Sequence, residues 1–129
     1  MSYDNPLVGP VTYNFGLHDF GAGAGAFAFK GPPGKRGRIE DIGVAVTETF
    51  NAVTTPGYVR VGTGADPDAY AELNMGTAAA TDFYNTQDDT DAIINNLLPA
   101  DTQIEVAFVA PTGGTPAGIG YVHIVVTWF

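Results

Sequence analysis

The sequence contains no cysteine. That absence excludes disulfides, thiolate metal sites and a cysteine nucleophile, and with them the small secreted scaffold that depends on bridges. Serine is almost as scarce, Ser2 being the only one, and the only imidazoles are His18 and His123. No apolar stretch approaches the ~18 residues of a membrane span, and MSYDNPLVGP has no basic start followed by an apolar run. The expectation is a chain made in the cytosol that has no membrane partner.

Basic residues stop at Arg60. Residues 61–129 carry nine acids and no Lys or Arg, so the net charge of −9 lies in the second half, while residues 1–60 balance five acids with five bases. Lys30, Lys35, Arg36 and Arg38 crowd around Gly31-Pro32-Pro33-Gly34. Four bases on one turn are too few for the counterion release that drives nucleic-acid binding, so no nucleic-acid partner is expected. A basic projection on an acidic body instead suits docking onto an oppositely charged protein face, with Lys35, Arg36 and Arg38 as the interface candidates.

Alternating runs bounded by Gly, Pro and Asp predict an all-β chain, an antiparallel β-sandwich of jelly-roll or similar Greek-key topology with about eight strands. Val11, Tyr13 and Phe15 share a face, as do Phe27 and Phe29. Ile42, Val44 and Val46 do the same within the long run 38–50, where Gly43 suggests a bulge or a close backbone approach. Tyr58–Val61 reads as a short strand; Ala69, Ala71, Leu73 and Met75 line another; Ile104, Val106 and Phe108 line a third. Residues 88–98 are ambiguous between short helix and irregular or short-strand structure, the latter favoured by Asn95-Asn96. The run 121–129 is apolar on both faces, which predicts a central strand or one covered by a neighbouring subunit. Residues 1–10, with Pro6 and Pro10, are expected to form an extended arm, and residues 11–129 a single domain.

Chemistry-bearing motifs fail on inspection. Counting back from Gly34-Lys35 places Phe29 at the first glycine of a nucleotide loop and Arg36 at its hydroxyl. Gly21-Ala22-Gly23-Ala24-Gly25 lacks the third glycine and the helix of a dinucleotide site. Asp66 with Asp68, and Asp88, Asp89 and Asp91, lack the glycine and distal glutamate of a calcium loop. His18 beside Asp19 could form a dyad, with no evident nucleophile, and His123 reads as structural. The six tyrosines and Trp128 are spread over nearly every strand, which argues against one concentrated sugar platform. No catalytic residue, metal or cofactor is therefore expected, and a carboxylate hydrolase ranks last among the readings.

Residues 34–50 (GKRGRIEDIGVAVTETF), followed by Tyr58–Thr63 and by Asp66–Leu73 (DPDAYAEL), give the chain from about 30 to 129 a Gly- and Thr-rich, cysteine-free character. In this it resembles head decoration, or cement, proteins of tailed bacteriophages. The resemblance implies a non-enzymatic virion structural protein on the outer surface of the head, binding major capsid protein and itself as a homo-oligomer, a trimer in the usual case. It transfers no site residues. The alternative keeps the fold and makes it a carbohydrate- or receptor-binding module of a phage tail or bacterial surface.

Overall fold

The computed structural model describes residues 9–51 and 54–129. Among these lie nine strands and no helix: β1 (Gly9–Asp19), β2 (Gly25–Lys30), β3 (Gly37–Asn51), β4 (Tyr58–Gly62), β5 (Ala71–Asn74), β6 (Phe83–Asn85), β7 (Leu97–Leu98), β8 (Gln103–Val109) and β9 (Ala117–Trp128). They form two antiparallel sheets. The first has the order β1-β9-β3-β6, with β7 also paired to β3; the second has the order β2-β8-β4-β5. The expected antiparallel sandwich is what the chain forms.

Alternation dictates which face of each strand is buried. Ile42, Val44 and Val46 of β3 meet Val122, Ile124, Val126 and Trp128 of β9 from the same sheet, and Val59, Val61, Leu73, Ile104, Val106 and Phe108 close the core from the other. Each such side chain, fully buried, contributes about 1.5–3 kcal/mol. β9 is central, between β1 and β3, with Val122, Ile124, Val126 and Trp128 in the core and Tyr121 exposed on its outer face.

Two aromatic groups hold the ends of the sandwich. At one end Phe20 packs against Phe50 and Phe108, at centroid distances of 5.0 and 5.3 Å. At the other, Trp128 meets Phe29 edge-on at 6.4 Å, and its indole N–H donates to the Tyr13 hydroxyl at 2.9 Å. Gly31 and Gly37 both pass over this indole, and a Cβ on Gly37 would lie 2.7 Å from the ring.

Several expectations need correction. The arm does not extend to residue 10: Gly9 and Pro10 already belong to β1, paired with Trp128 and Thr127, while residues 1–8 lie outside the described residues. The basic turn at Gly31–Gly34 does not project freely but joins the two sheets, β2 lying in one and β3 in the other. It is a corner carrying the chain across Trp128, where only glycine fits. Gly43 is not bulged, and what lies nearest to it is side chain: Phe83 and His123 stack over it, and an added Cβ would lie 2.6 and 2.7 Å from their rings. The bulges of β3 lie between Ile39 and Asp41 and beyond Val46. In residues 88–98 the irregular reading holds, with an isolated bridge from Ile93 to Ala71 and the two-residue β7.

Candidate functional site

The outer faces of the two sheets differ in kind. On the second sheet, cross-strand partners run Ala26–Ala107–Arg60–Glu72, and Arg60 is engaged by the Glu72 carboxylate at 2.6 Å while lying over the Tyr58 ring. On the first sheet, Leu17 pairs with Tyr121, Tyr121 with Ala45, and Ala45 with Phe83. These four residues form a row across all four main strands. Leu17 is 55% exposed, Tyr121 53% and Phe83 50%.

Next to this row stands a second, Asn14–His123–Gly43–Asn85. The His123 imidazole is stacked on Phe83 at 5.2 Å and nearly parallel, with the Asp41 carboxylate 3.9 Å from its Nε2. Asp41 also accepts a hydrogen bond from the Thr86 hydroxyl at 2.8 Å. Gly43 makes this stack possible, since any side chain there would occupy the space of the two rings. His123 is thus a structural histidine that orients an exposed phenylalanine.

Leu17 reaches this face through a bulge. Val11, Tyr13 and Phe15 face inward, and strict alternation would place Leu17 with them. Between Asn14 and Gly16 the register shifts, with Gly16 at a φ of 77°, so Leu17 turns outward and His18 inward. The proposed His18–Asp19 dyad therefore does not form. The His18 ring packs edge-on against Phe20 and shares a 2.9 Å hydrogen bond with the Gly23 carbonyl, whereas the Asp19 carboxylate accepts from the Ala22 N–H on the outside.

Lys35, Arg36 and Arg38 occupy the corner and the start of β3, each with different contacts. Lys35 is half-buried, its N–H donating to the Pro32 carbonyl. Arg36 exchanges two backbone hydrogen bonds with Phe129 and holds its guanidinium 5.2 Å from the centre of that ring. Neither Lys35 nor Arg36 is in an ion pair among the described residues. Arg38 donates to Glu40 at 2.8 Å, and this holds the Glu40 carboxyl below its usual range. The turn is also tied to the body by the Gly34 N–H, which donates to Asp101 at 2.8 Å. Arg38 lies on the same outer face as the apolar row, beside Thr127 and Leu97, six residues along β9 from Tyr121 or roughly 20 Å at strand spacing.

The acidic turns serve the backbone. Asp89 accepts from the Asn74 N–H and Asp88 from the Asn85 N–H, both near 3 Å. Asp66 and Asp68 share a hydrogen bond that raises the Asp66 pKa, because a proton between two carboxylates relieves their repulsion. No group of three or more metal-ligating side chains occurs among the described residues. No helix there is long and apolar enough to cross a membrane.

No protein-family model matches the sequence, and no curated protein matches it either. Among solved structures the chain is similar to a chain of a cyanophage Pam1 capsid asymmetric unit. The two are 12% identical, the alignment covers 89% of this chain and 88% of that one, and the TM-score is 0.39. A likeness of that size assigns no family.

Proposed function

We propose that this chain is a non-enzymatic structural protein of a bacteriophage virion. It decorates the outer surface of the head and stabilises it by binding major capsid protein subunits as a homo-oligomer, for which the sequence resemblance implies a trimer. The observation that carries this reading is the row Leu17–Tyr121–Ala45–Phe83, with Arg38 on the same face. Three large apolar side chains, each about half exposed and aligned across a rigid sheet, make the kind of patch that a protein partner covers. Arg38 stands farther along the same outer face, so one partner surface can meet both an apolar centre and a charged contact.

The strand orders β1-β9-β3-β6 and β2-β8-β4-β5 support reading the sandwich as a jelly roll of two Greek keys. That architecture serves viral shells and lectins alike, so the surface has to decide the function. Co-sedimentation of the full chain with purified heads lacking it tests the reading. Saturable binding lost in Tyr121→Asp and Phe83→Asp variants is expected; absence of binding by the folded wild type overturns it. Exposed Tyr121 and Phe83 rings favour the alternative of sugar binding, which a glycan array showing micromolar ligands would establish in its place.

A further inference from the structure

Among the described residues, one flank of the sandwich is built from residues 9–30. The corner at residues 20–24 carries the chain from β1, at the edge of the first sheet, to β2, at the edge of the second. β1 is hydrogen-bonded to β9 and β2 to β8, so two edge strands stand side by side with no further strand on either among the described residues. Between them runs an aromatic seam. Tyr13 stacks on Phe29 at 4.3 Å and Phe15 meets Phe27 at 5.4 Å; Val11, Tyr13 and Phe15 are half-buried, and Phe27 is 38% exposed.

Exposed edges are normally guarded by charge, proline or bulges, because their free N–H and C=O groups template pairing with another chain. Here the guard is slight. Pro10 stands at one end and the Gly16 bulge interrupts β1, but each strand carries a single charge, Asp19 on β1 and Lys30 on β2. The Tyr13–Phe29 and Phe15–Phe27 contacts show that β1 and β2 run in opposite directions across the seam. Lys30 therefore lies at the Val11 end of the flank and Asp19 at the other, roughly 25 Å away at strand spacing.

We infer that this flank is the contact surface for a second copy of the same chain, with a two-fold axis passing close to Phe15 and Phe27. The two-fold reverses the flank, so Asp19 of each copy faces Lys30 of the other, and every contact occurs twice. Phe27 and the half-buried side chains of the seam lose their remaining exposure at the centre. Asp66, Asp68, Asp88, Asp89 and Asp91 belong to the loops around β5 and β6, at the opposite edges of both sheets, so pairing keeps these like charges apart. The edge strands side by side, the apolar seam and the reversed charges select this partner over an unlike one. A two-fold pair also differs from the trimer that the resemblance implies.

Sedimentation equilibrium of the full chain, at low salt and up to about 100 µM, tests the inference. A reversible species of twice the 13.4 kDa chain mass is expected. Lys30→Asp and Asp19→Lys should each raise its dissociation constant about tenfold, and combining them should restore it to within about threefold. Phe27→Glu should leave a single-chain mass while unfolding normally. Because Asp19 also accepts from the Ala22 N–H, Asp19→Asn, which keeps an acceptor and removes the charge, serves as a second variant and should weaken pairing by a smaller factor. A single-chain mass throughout, a three-chain mass, or a pair indifferent to both charge reversals and to Phe27→Glu would overturn the inference. Sedimentation needs no capsid, so pairing and attachment to heads can fail independently.

Discussion

The indole N–H of Trp128 donates to the hydroxyl of Tyr13 at 2.9 Å, joining the edge strand β1 to the end of β9 beneath the corner at Gly31. Trp128 is 1% exposed, so its N–H has no water to fall back on. Tyr13→Phe removes the acceptor and keeps the ring stacked on Phe29. Leaving a buried donor unmatched costs about 1–3 kcal/mol, to be read from chemical denaturation.

The same hydroxyl gives a pH dependence. Burial pushes the Tyr13 pKa above its ordinary value of 10.0, against a smaller opposing effect of the Trp128 hydrogen bond, and Tyr84 is raised by burial and by Asp89 and Asp88. A raised folded-state pKa means that the neutral phenol is favoured in the fold. That contribution is complete below pH 10 and is lost as pH climbs through the raised values. Unfolding midpoints should fall above pH 10, and less steeply in Tyr13→Phe.

Gly16 tests the bulge. Its φ of 77° is costly for any residue with a Cβ, although an added Cβ would meet nothing within 4 Å. Gly16→Ala should therefore cost about 1–2 kcal/mol of purely conformational strain, and Gly16→Asn less, since asparagine tolerates the left-handed region. Equal losses for the two in thermal unfolding would contradict this assignment.

Asp66 should behave in the opposite sense to an ordinary stabilising carboxylate. Its folded-state pKa is raised by the hydrogen bond with Asp68, so its contribution is present at acid pH and lost as pH rises through the raised value. Asp66→Asn should raise the unfolding midpoint at pH 7, with the gain shrinking as the pH drops into the carboxylate range. A gain that persists unchanged at pH 3 would point to another cause.

For attachment to heads, Arg38→Glu should weaken binding, and added salt should weaken the wild type in the same direction, because rim charges are screened over ~8–10 Å at ordinary ionic strength. Part of the Arg38 charge is already matched by Glu40, an exposed pair worth only about 0–1 kcal/mol, so folding should hardly change. Arg36→Glu tests the corner separately, since Arg36 has no carboxylate partner among the described residues. Co-sedimentation alongside thermal unfolding distinguishes loss of docking from loss of fold.

Sequence alone determined the strands whose pattern is purely local. Alternation of Ile42, Val44 and Val46, and of Ile104, Val106 and Phe108, needs only the two-residue period of a strand with one wet face, and the two-sided apolar run of β9 marks a central strand, although its outer face keeps Tyr121 half exposed. The three residues of β6 were not legible, because so short a strand carries no period. Only tertiary structure decided the candidate surface. The row Leu17–Tyr121–Ala45–Phe83 draws one residue from each of four strands, and nothing local to any of them encodes which cross-strand partners will meet. In the same way, one extra residue at the Gly16 bulge reverses the parity of β1, sending Leu17 outward and His18 inward against the alternation set by Val11, Tyr13 and Phe15. Register is a property of pairs of strands, so a pattern read along one strand fixes its faces only as far as the first bulge.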